Sequence, residues 1–161
     1  MPTVRYGYTE TPIGTVLLVA KDDKLTGLYF DDPSDTRRIR PDWVRDDDHF
    51  GEARRQLNEY FNGERTEFDL PFELEGTAFQ KQVWGALCDI KFGETMSYGE
   101  LAERIGRPNA ARAVGRANGT NPVSIIVPCH RVIGANGALV GYGWGTDRKS
   151  WLLKLENVLL A

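Results

Sequence analysis

Ser124-Ile125-Ile126-Val127-Pro128-Cys129-His130-Arg131-Val132 joins an apolar run to a Cys-His-Arg triplet, and its reading decides how the second half of the chain is built. The run is rich in β-branched residues and reads as a buried strand, which Pro128 must end because it has no backbone N–H to donate. Cys129 is then expected at a strand exit. A thiol reacts as thiolate, and with a free pKa near ~8.5 only a few per cent is ionised at neutral pH, so a base or cation must assist it. His130 and Arg131 are the nearest candidates. Neighbouring side chains point apart on an extended backbone, so a Cys129–His130 contact requires a tight turn or a bridging water, and the water is the expectation.

Upstream, the sequence reads as helices. Thr77 caps a segment whose apolar stripe is Phe79, Val83, Trp84 and Leu87, with Gly93 as its breaker. Cys88 falls on or beside that stripe and is read as a small core residue. Ser97-Tyr98-Gly99-Glu100 is a capping box, Gly106-Arg107-Pro108-Asn109 turns the chain, and residues 110–118 form a second helix. Two short helices about a Gly-containing turn predict a helix-turn-helix. The small residues Ala110, Ala111, Ala113, Gly115 and Ala117 would let the backbone of the second helix approach a nucleic-acid groove, although they serve close helix packing equally well.

The first half reads differently. Residues 4–9, 15–20 and 25–30 are short strands separated by Thr11-Pro12-Ile13-Gly14 and Asp22-Asp23-Lys24, an antiparallel meander. Residues 31–48 carry Pro33, Pro41 and many like charges and read as loop or linker, followed by a helix over residues 49–62 that Gly63 stops. His49 is expected at the surface beside it. The fold class predicted is α+β, with residues 1–75 as a small sheet domain plus linker and residues 76–161 as a helical domain.

Charge divides along the same line. Residues 1–76 hold ten Lys/Arg against seventeen Asp/Glu, a balance of −7, while residues 77–161 hold ten against six, a balance of +4. Between Arg104 and Thr146 five arginines occur with no acidic residue, which suits a polyanion-binding face or a solvated helix surface. No apolar run reaches membrane-spanning length. The N-terminal residues lack the basic and apolar regions of a signal peptide, so a cytoplasmic protein with reduced thiols is expected, nucleoid-associated if prokaryotic. Two cysteines and two histidines match no zinc spacing, and neither a metal nor a cofactor is invoked.

Pro128-Cys129-His130-Arg131-Val132, preceded by Asn121-Pro122-Val123 and Ala110-Ala111-Arg112-Ala113-Val114-Gly115, closely resembles the O6-alkylguanine-DNA alkyltransferase (methylated-DNA–protein-cysteine methyltransferase) family. Gly76-Thr77-Ala78-Phe79-Gln80, Gly93-Glu94-Thr95-Met96-Ser97-Tyr98, Gly141-Tyr142 and Arg148-Lys149-Ser150-Trp151-Leu152-Leu153 match it in order and spacing; the first 75 residues fit more loosely. The resemblance implies a ribonuclease H-like N-terminal domain and a C-terminal DNA-binding and alkyl-transfer domain with a winged helix-turn-helix. It implies direct-reversal repair, in which an alkyl group moves irreversibly from O6-alkylguanine, and from O4-alkylthymine, in duplex DNA to the protein's own cysteine, once per molecule.

On that resemblance Cys129 is the acceptor, His130 its base through a water, and Glu156 the carboxylate that orients His130. Asn121 would tie the helix-turn-helix to the cysteine segment, and Tyr98 would border the flipped base and donate to the purine ring. Arg112 would fill the space the extruded base leaves, with Ala110, Ala111, Ala113, Arg116, Gln80 and Tyr98 along the minor groove. Tyr98, Val132, Tyr142, Gly143 and Trp144 would line the alkyl pocket. The chain departs from relatives in three places: Trp144 stands where many have glycine, the cysteines of an N-terminal zinc site are missing, and Gly119 replaces an arginine for which Arg116 could compensate. A monomer is expected, with cooperation along DNA left open.

Three other readings stand beside it. A silent lesion-binding relative would have lost the cysteine, which this chain keeps. A helix-turn-helix regulator would leave Pro-Cys-His-Arg and its downstream glutamate without purpose. A cysteine hydrolase would want a distant histidine and an oxyanion hole, for which the sequence offers no candidate.

Overall fold

The structure, a computed structural model, describes residues 2–158. It contains two compact units, Met1–Leu74 and Glu75–Ala161. In the first, β1 (Val4–Thr11), β2 (Gly14–Lys21) and β3 (Lys24–Tyr29) form the expected antiparallel meander. The first turn is closed by Thr11, whose hydroxyl donates to the Gly14 carbonyl at 2.6 Å, with Gly14 at φ 129° where a side chain would be strained. A fourth strand, β4 (Val44–Arg45), pairs parallel to β1 and gives the order β3-β2-β1-β4. Two exposed residues inside a charged stretch carry no alternation, so sequence reading stopped at three strands.

Val16 to Ala20 of β2 are all buried, as a central strand covered on both faces requires. The 31–45 segment packs on β1 and β3 rather than running as a free linker: Trp43 lies 6.3 Å from Tyr6, and the Arg38 guanidinium sits 3.9 Å over Tyr29 while pairing with Asp31 at 2.7 Å. A 3-10 turn, Asp47–Phe50, leads into α1 (Gly51–Phe61), which buries Ala53, Leu57, Tyr60 and Phe61. Its buried Gln56 replaces strand pairing for Asp69, accepting from the Asp69 N–H at 2.8 Å and donating to its carbonyl at 3.0 Å. His49 lies in the 3-10 turn and bonds the Asp22 carbonyl at 2.8 Å.

The second unit opens with α2 (Ala78–Leu87), held at its N-terminus by a Thr77/Gln80 capping box. Ser97 and Glu100 form a second box on α3 (Tyr98–Arg104), and residues 105–110 turn the chain into α4 (Ala111–Gly119), completing the predicted helix-turn-helix. Such caps stabilise a helix by about 0.5–2 kcal/mol each, which matters for an element as short as α3. The fully buried Trp84 pins α2 to α4 by donating from Nε1 to the Ala117 carbonyl at 2.8 Å. β5 (Met96–Ser97) and β6 (Val132–Ile133) pair in parallel, and α5 (Thr146–Leu155) closes the described chain.

Two expectations are corrected in this unit. Cys88 is exposed at the C-cap of α2, one residue beyond the buried stripe that ends at Leu87, so it is no core residue. Residues 124–127 form a buried turn rather than a strand. The Val127 N–H returns to the Val123 carbonyl at 3.0 Å and Ile125 adopts φ 72°, which a β-branched residue holds only under surrounding constraint. The Asn121 side chain takes the place of a neighbouring strand: its Nδ2 donates to the Val127 carbonyl at 2.7 Å, and its Oδ1 accepts from the Val123 N–H at 3.0 Å. β-branching signalled burial here, and the side-chain bonds of one asparagine selected the turn.

Candidate active site

Cys129 opens a 3-10 turn, Cys129–Arg131, directly after that buried turn. Its backbone carbonyl accepts from Asn118 Nδ2 at 3.1 Å, so α4 holds the cysteine segment from one side as Asn121 does from the other. The thiol itself is buried. Burial pushes its pKa up, opposed by hydrogen bonding from Asn121 and Ser124 and by the charge of Lys149.

The turn sends His130 and Arg131 to a common partner. His130 Nε2 meets Glu156 Oε2 at 2.7 Å, while Arg131 donates from Nε to Oε1 at 2.7 Å and from Nη2 to Oε2 at 3.1 Å. Arg131 Nη1 also donates to the Ile90 carbonyl at 2.6 Å. Arg131 therefore neutralises Glu156 and is not the thiol's cation, which corrects its reading as a local helper. Glu156 caps the C-terminus of α5 and is fully buried. Burial raises its pKa, but hydrogen bonds from His130 and Arg131 and the charge of Arg131 outweigh that and hold it at about 2. Burial drives the pKa of His130 down, against the pull of Glu156, so the imidazole is neutral. With Nε2–H donated to the carboxylate, the basic lone pair rests on Nδ1.

Nδ1 of His130 has no hydrogen-bond partner among the described residues, and neither do Oδ1 of Asn118 and the hydroxyl of Tyr142. All three belong to residues beside Cys129: Asn118 binds its carbonyl, His130 follows it, and Tyr142 senses its charge. Buried polar groups are seldom left unpaired, and such groups gathered round one thiol mark a site of chemistry. The Tyr142 hydroxyl is pushed well above its ordinary pKa by burial and by the sulfur, so it stays a neutral donor.

Residues 134–145 supply Tyr142 and Trp144. Tyr98, at the start of α3, packs its ring over Gly115 and donates from its hydroxyl to the Val140 carbonyl at 2.5 Å, so in this state the hydroxyl is engaged by the loop. A Cβ on Gly141, which has φ 77°, would fall 2.1 Å from that hydroxyl. Val132 is fully buried in β6 beneath the loop's anchor: the Lys149 ammonium donates to the Val132 and Val140 carbonyls, the latter at 2.8 Å. Burial lowers the Lys149 pKa to about 8. Trp144 is half-buried and donates from Nε1 to Ser124 Oγ at 2.9 Å.

The residues assigned to a DNA surface, Tyr98 apart, lie on α2 and on α4 with its N-cap. Arg112 and Arg116 are exposed on α4, Ala110 caps its start without a side-chain bond, and Ala111 and Ala113 are partly exposed. Gln80 sits in the first turn of α2 and reaches Thr120 at 3.4 Å. Sequence reading missed Lys149, Asn118 and Ser124 as members of the site. Lys149, Leu152, Leu153 and Glu156 share one helical face, and a lysine and a glutamate flanking buried leucines were a signal open to detection. Among the described residues no three His, Cys, Asp or Glu side chains gather to hold a metal, and no helix is long and apolar enough to cross a membrane.

A buried cysteine beside a histidine–glutamate–arginine cluster, carried on a helix-turn-helix unit, defines a thiol enzyme of the nucleic-acid-handling kind. Family comparison makes this specific: residues 78–158 match the 6-O-methylguanine DNA methyltransferase DNA binding domain and residues 4–74 its ribonuclease-like domain. The chain belongs to the 6-O-methylguanine DNA methyltransferase family. It is 51% identical over 152 residues, 94% of this chain and 97% of the other, to the methylated-DNA–protein-cysteine methyltransferase of Methanosarcina acetivorans. That of Mycolicibacterium paratuberculosis is 52% identical over 154 residues, 96% and 93% of the two chains. The crystal structure of the Mycobacterium tuberculosis O6-methylguanine methyltransferase superposes with TM-score 0.87 at 50% identity over 99% of this chain and 96% of that one. That of the M. tuberculosis protein in complex with DNA does so with TM-score 0.87 at 51% identity over 94% and 92%.

Proposed function

We propose that this protein repairs alkylated DNA by moving the alkyl group of O6-alkylguanine onto Cys129. The observation that carries the reading is the pairing of a buried Cys129 with an adjacent neutral His130, whose Nε2 is held by Glu156 and whose Nδ1 is open. In the reaction His130 Nδ1 takes the thiol proton through a bridging water, and Sγ attacks the alkyl carbon. The S–C bond forms as the C–O bond breaks, its electron pair passes to the guanine, and the guanine takes up one proton. A hydroxyl donor at the purine ring assists that departure. Tyr98 fills this role by exchanging the Val140 carbonyl for the base, with Tyr142 as a second neutral donor.

Duplex DNA binds through its minor groove to the second domain, residues 76–161. Arg112, exposed near the N-terminus of α4, fills the stack when the base is flipped, while Ala110, Ala111, Ala113, Arg116 and Gln80 border the backbone. Asn121 keeps the cysteine segment in place, and Val132, Tyr142, Gly143 and Trp144 bound the alkyl pocket. The protein works as a monomer in the cytoplasm. The test is incubation with duplex DNA containing O6-methylguanine, followed by peptide mass analysis. One methyl group on the peptide holding Cys129 is the expected result, with Cys88→Ala active and Cys129→Ala binding DNA but inert. Methyl on Cys88, or none on protein, overturns the assignment.

A further inference from the structure

Of the five arginines between Arg104 and Thr146, four are exposed, and Arg131 is the one drawn into the interior, 7% exposed. Its guanidinium is directed on three sides: Nε and Nη2 to Glu156, and Nη1 to the Ile90 carbonyl at 2.6 Å, with the Phe92 ring centroid 6.0 Å from Cζ. Glu156 Oε2 is shared, since it accepts from Arg131 Nη2 at 3.1 Å and meets His130 Nε2 at 2.7 Å. His130 and Glu156 are both closed off from solvent. The three side chains form one buried cluster whose net charge depends on where a single proton sits. With imidazole, carboxylate and guanidinium the cluster is neutral. A further proton on Nδ1 of His130 leaves a net positive charge among buried groups, and an uncompensated buried charge is costly. Without the guanidinium the count reverses: a carboxylate beside neutral imidazole is net negative, and only imidazolium restores neutrality.

Resting on the assignment of Cys129 as alkyl acceptor, we propose that Arg131 is a positioning residue that acts through Glu156 to keep the Nδ1 lone pair of His130 free for the thiol proton. An imidazolium carries a proton on both nitrogens and accepts none, so a buried histidine paired with a bare carboxylate would be held in the state that cannot serve as base. The carboxylate is still needed, because it receives Nε2–H and fixes the tautomer. Arg131 removes the charge of Glu156 as a cause of protonation without removing its oxygen as an acceptor. The charged groups acting on His130 are Glu156 and Lys149 from α5 and Arg131 from its own turn; burial and the two cations oppose protonation, and Glu156 favours it. α2 also packs on this turn, and its single charged residue, Lys81, is exposed. Once His130 has taken the thiol proton, the thiolate balances the added charge. When the S–C bond has formed that balance is gone, and the cluster returns to neutrality by releasing the proton that the departing guanine takes up.

The chain has two histidines, His49 and His130, so a His49→Gln background leaves one imidazole to follow. Its ring-nitrogen NMR shifts are recorded against pH, without DNA, for the parent, Arg131→Met, Arg131→Gln, Arg131→Lys and the Arg131→Met/Glu156→Gln double variant. Single-turnover transfer from O6-methylguanine duplex is measured over the same range. The parent is expected to hold a neutral imidazole, protonated at Nε2, throughout about pH 6–8, the range in which an ordinary histidine titrates. Arg131→Met and Arg131→Gln remove the charge and are expected to show imidazolium at neutral pH, because an unopposed neighbouring carboxylate makes a cation about ten- to a thousandfold harder to deprotonate. Their transfer falls roughly tenfold or more below the parent's at about pH 6.5, and the ratio recovers in the alkaline range as His130 loses its proton. Arg131→Lys keeps the charge and retains the parent's pH profile. The double variant is neutral with imidazole again, so it loses the acid limb whatever its absolute rate. Imidazolium in the parent, neutral imidazole in Arg131→Met or Arg131→Gln, or losses equal at every pH overturn the proposal, and the first of these requires no variant to fold. The NMR shifts report on His130 without DNA, so a parent protein that transfers no methyl while its histidine behaves as described contradicts the repair assignment and leaves the charge pairing standing.

Discussion

Glu156 is the residue on which the site's electrostatics converge, since it accepts from both His130 and Arg131. Replacing it with glutamine leaves the buried Arg131 guanidinium without a countercharge, a defect that costs about 3–5 kcal/mol. Glu156→Gln is therefore expected to lower the midpoint of chemical denaturation markedly and to slow transfer, because neither Nε2–H of His130 nor its ring plane is then fixed. The pH dependence follows from the same group. Its folded pKa of about 2 lies below its ordinary value of 4.5, so its contribution to stability is complete above about 4.5 and is lost as pH falls toward 2. Unfolding followed across that window should show a steep acid loss in the parent protein and a shallower one in Glu156→Gln. Equal slopes in the two proteins would remove Glu156 as the source.

At the scale of elements, the proposed reading gives α4 the task of reaching DNA and the 134–145 loop that of bounding the alkyl pocket. On the proposed reading Arg112→Ala slows repair of duplex DNA by roughly tenfold to a hundredfold while leaving reaction with free O6-methylguanine base nearly unchanged, since only the duplex requires extrusion. Equal losses on both substrates would place Arg112 in folding or chemistry instead. Binding should also fall steeply with salt, as counterion release by the exposed arginines of α4 demands. The loop is judged by Gly141, where an added Cβ meets the Tyr98 hydroxyl at 2.1 Å and the backbone has φ 77°. Gly141→Ala should displace the loop or expel Tyr98 from its bond with Val140, destabilising the protein by about 1–3 kcal/mol and reducing transfer on both substrates. Gly137→Ala, also at positive φ but with open space around the new methyl, is the control for backbone strain alone.

For the whole molecule, a thioether on Cys129 has no leaving-group chemistry that regenerates the thiol, so methyl transferred plotted against protein should plateau at one per molecule. Sustained turnover would favour a hydrolase. The capping boxes at Thr77 and Ser97, the meander turns and the stripe ending at Leu87 were legible because cap chemistry and hydrophobic period act within a few residues. Cys129, His130 and Glu156 were nameable from motif resemblance, and the helix-turn-helix from its two helices and turn. What the residues could not say is how side chains far apart in sequence meet. β-branching at Ile125, Ile126 and Val127 reported burial but not strand, because the competing partner was an asparagine side chain three residues before the run. Arg131 looked like the cation of its sequence neighbour until the 3-10 turn carried it to a carboxylate 25 residues away. The sequence by itself determined where most helices begin and end, and its resemblance to the family singled out the cysteine, histidine and glutamate of the proposed chemistry. Only the tertiary structure decided which proton each holds and which partner each meets, since pKa and hydrogen-bond direction depend on burial and on contacts that local sequence does not encode.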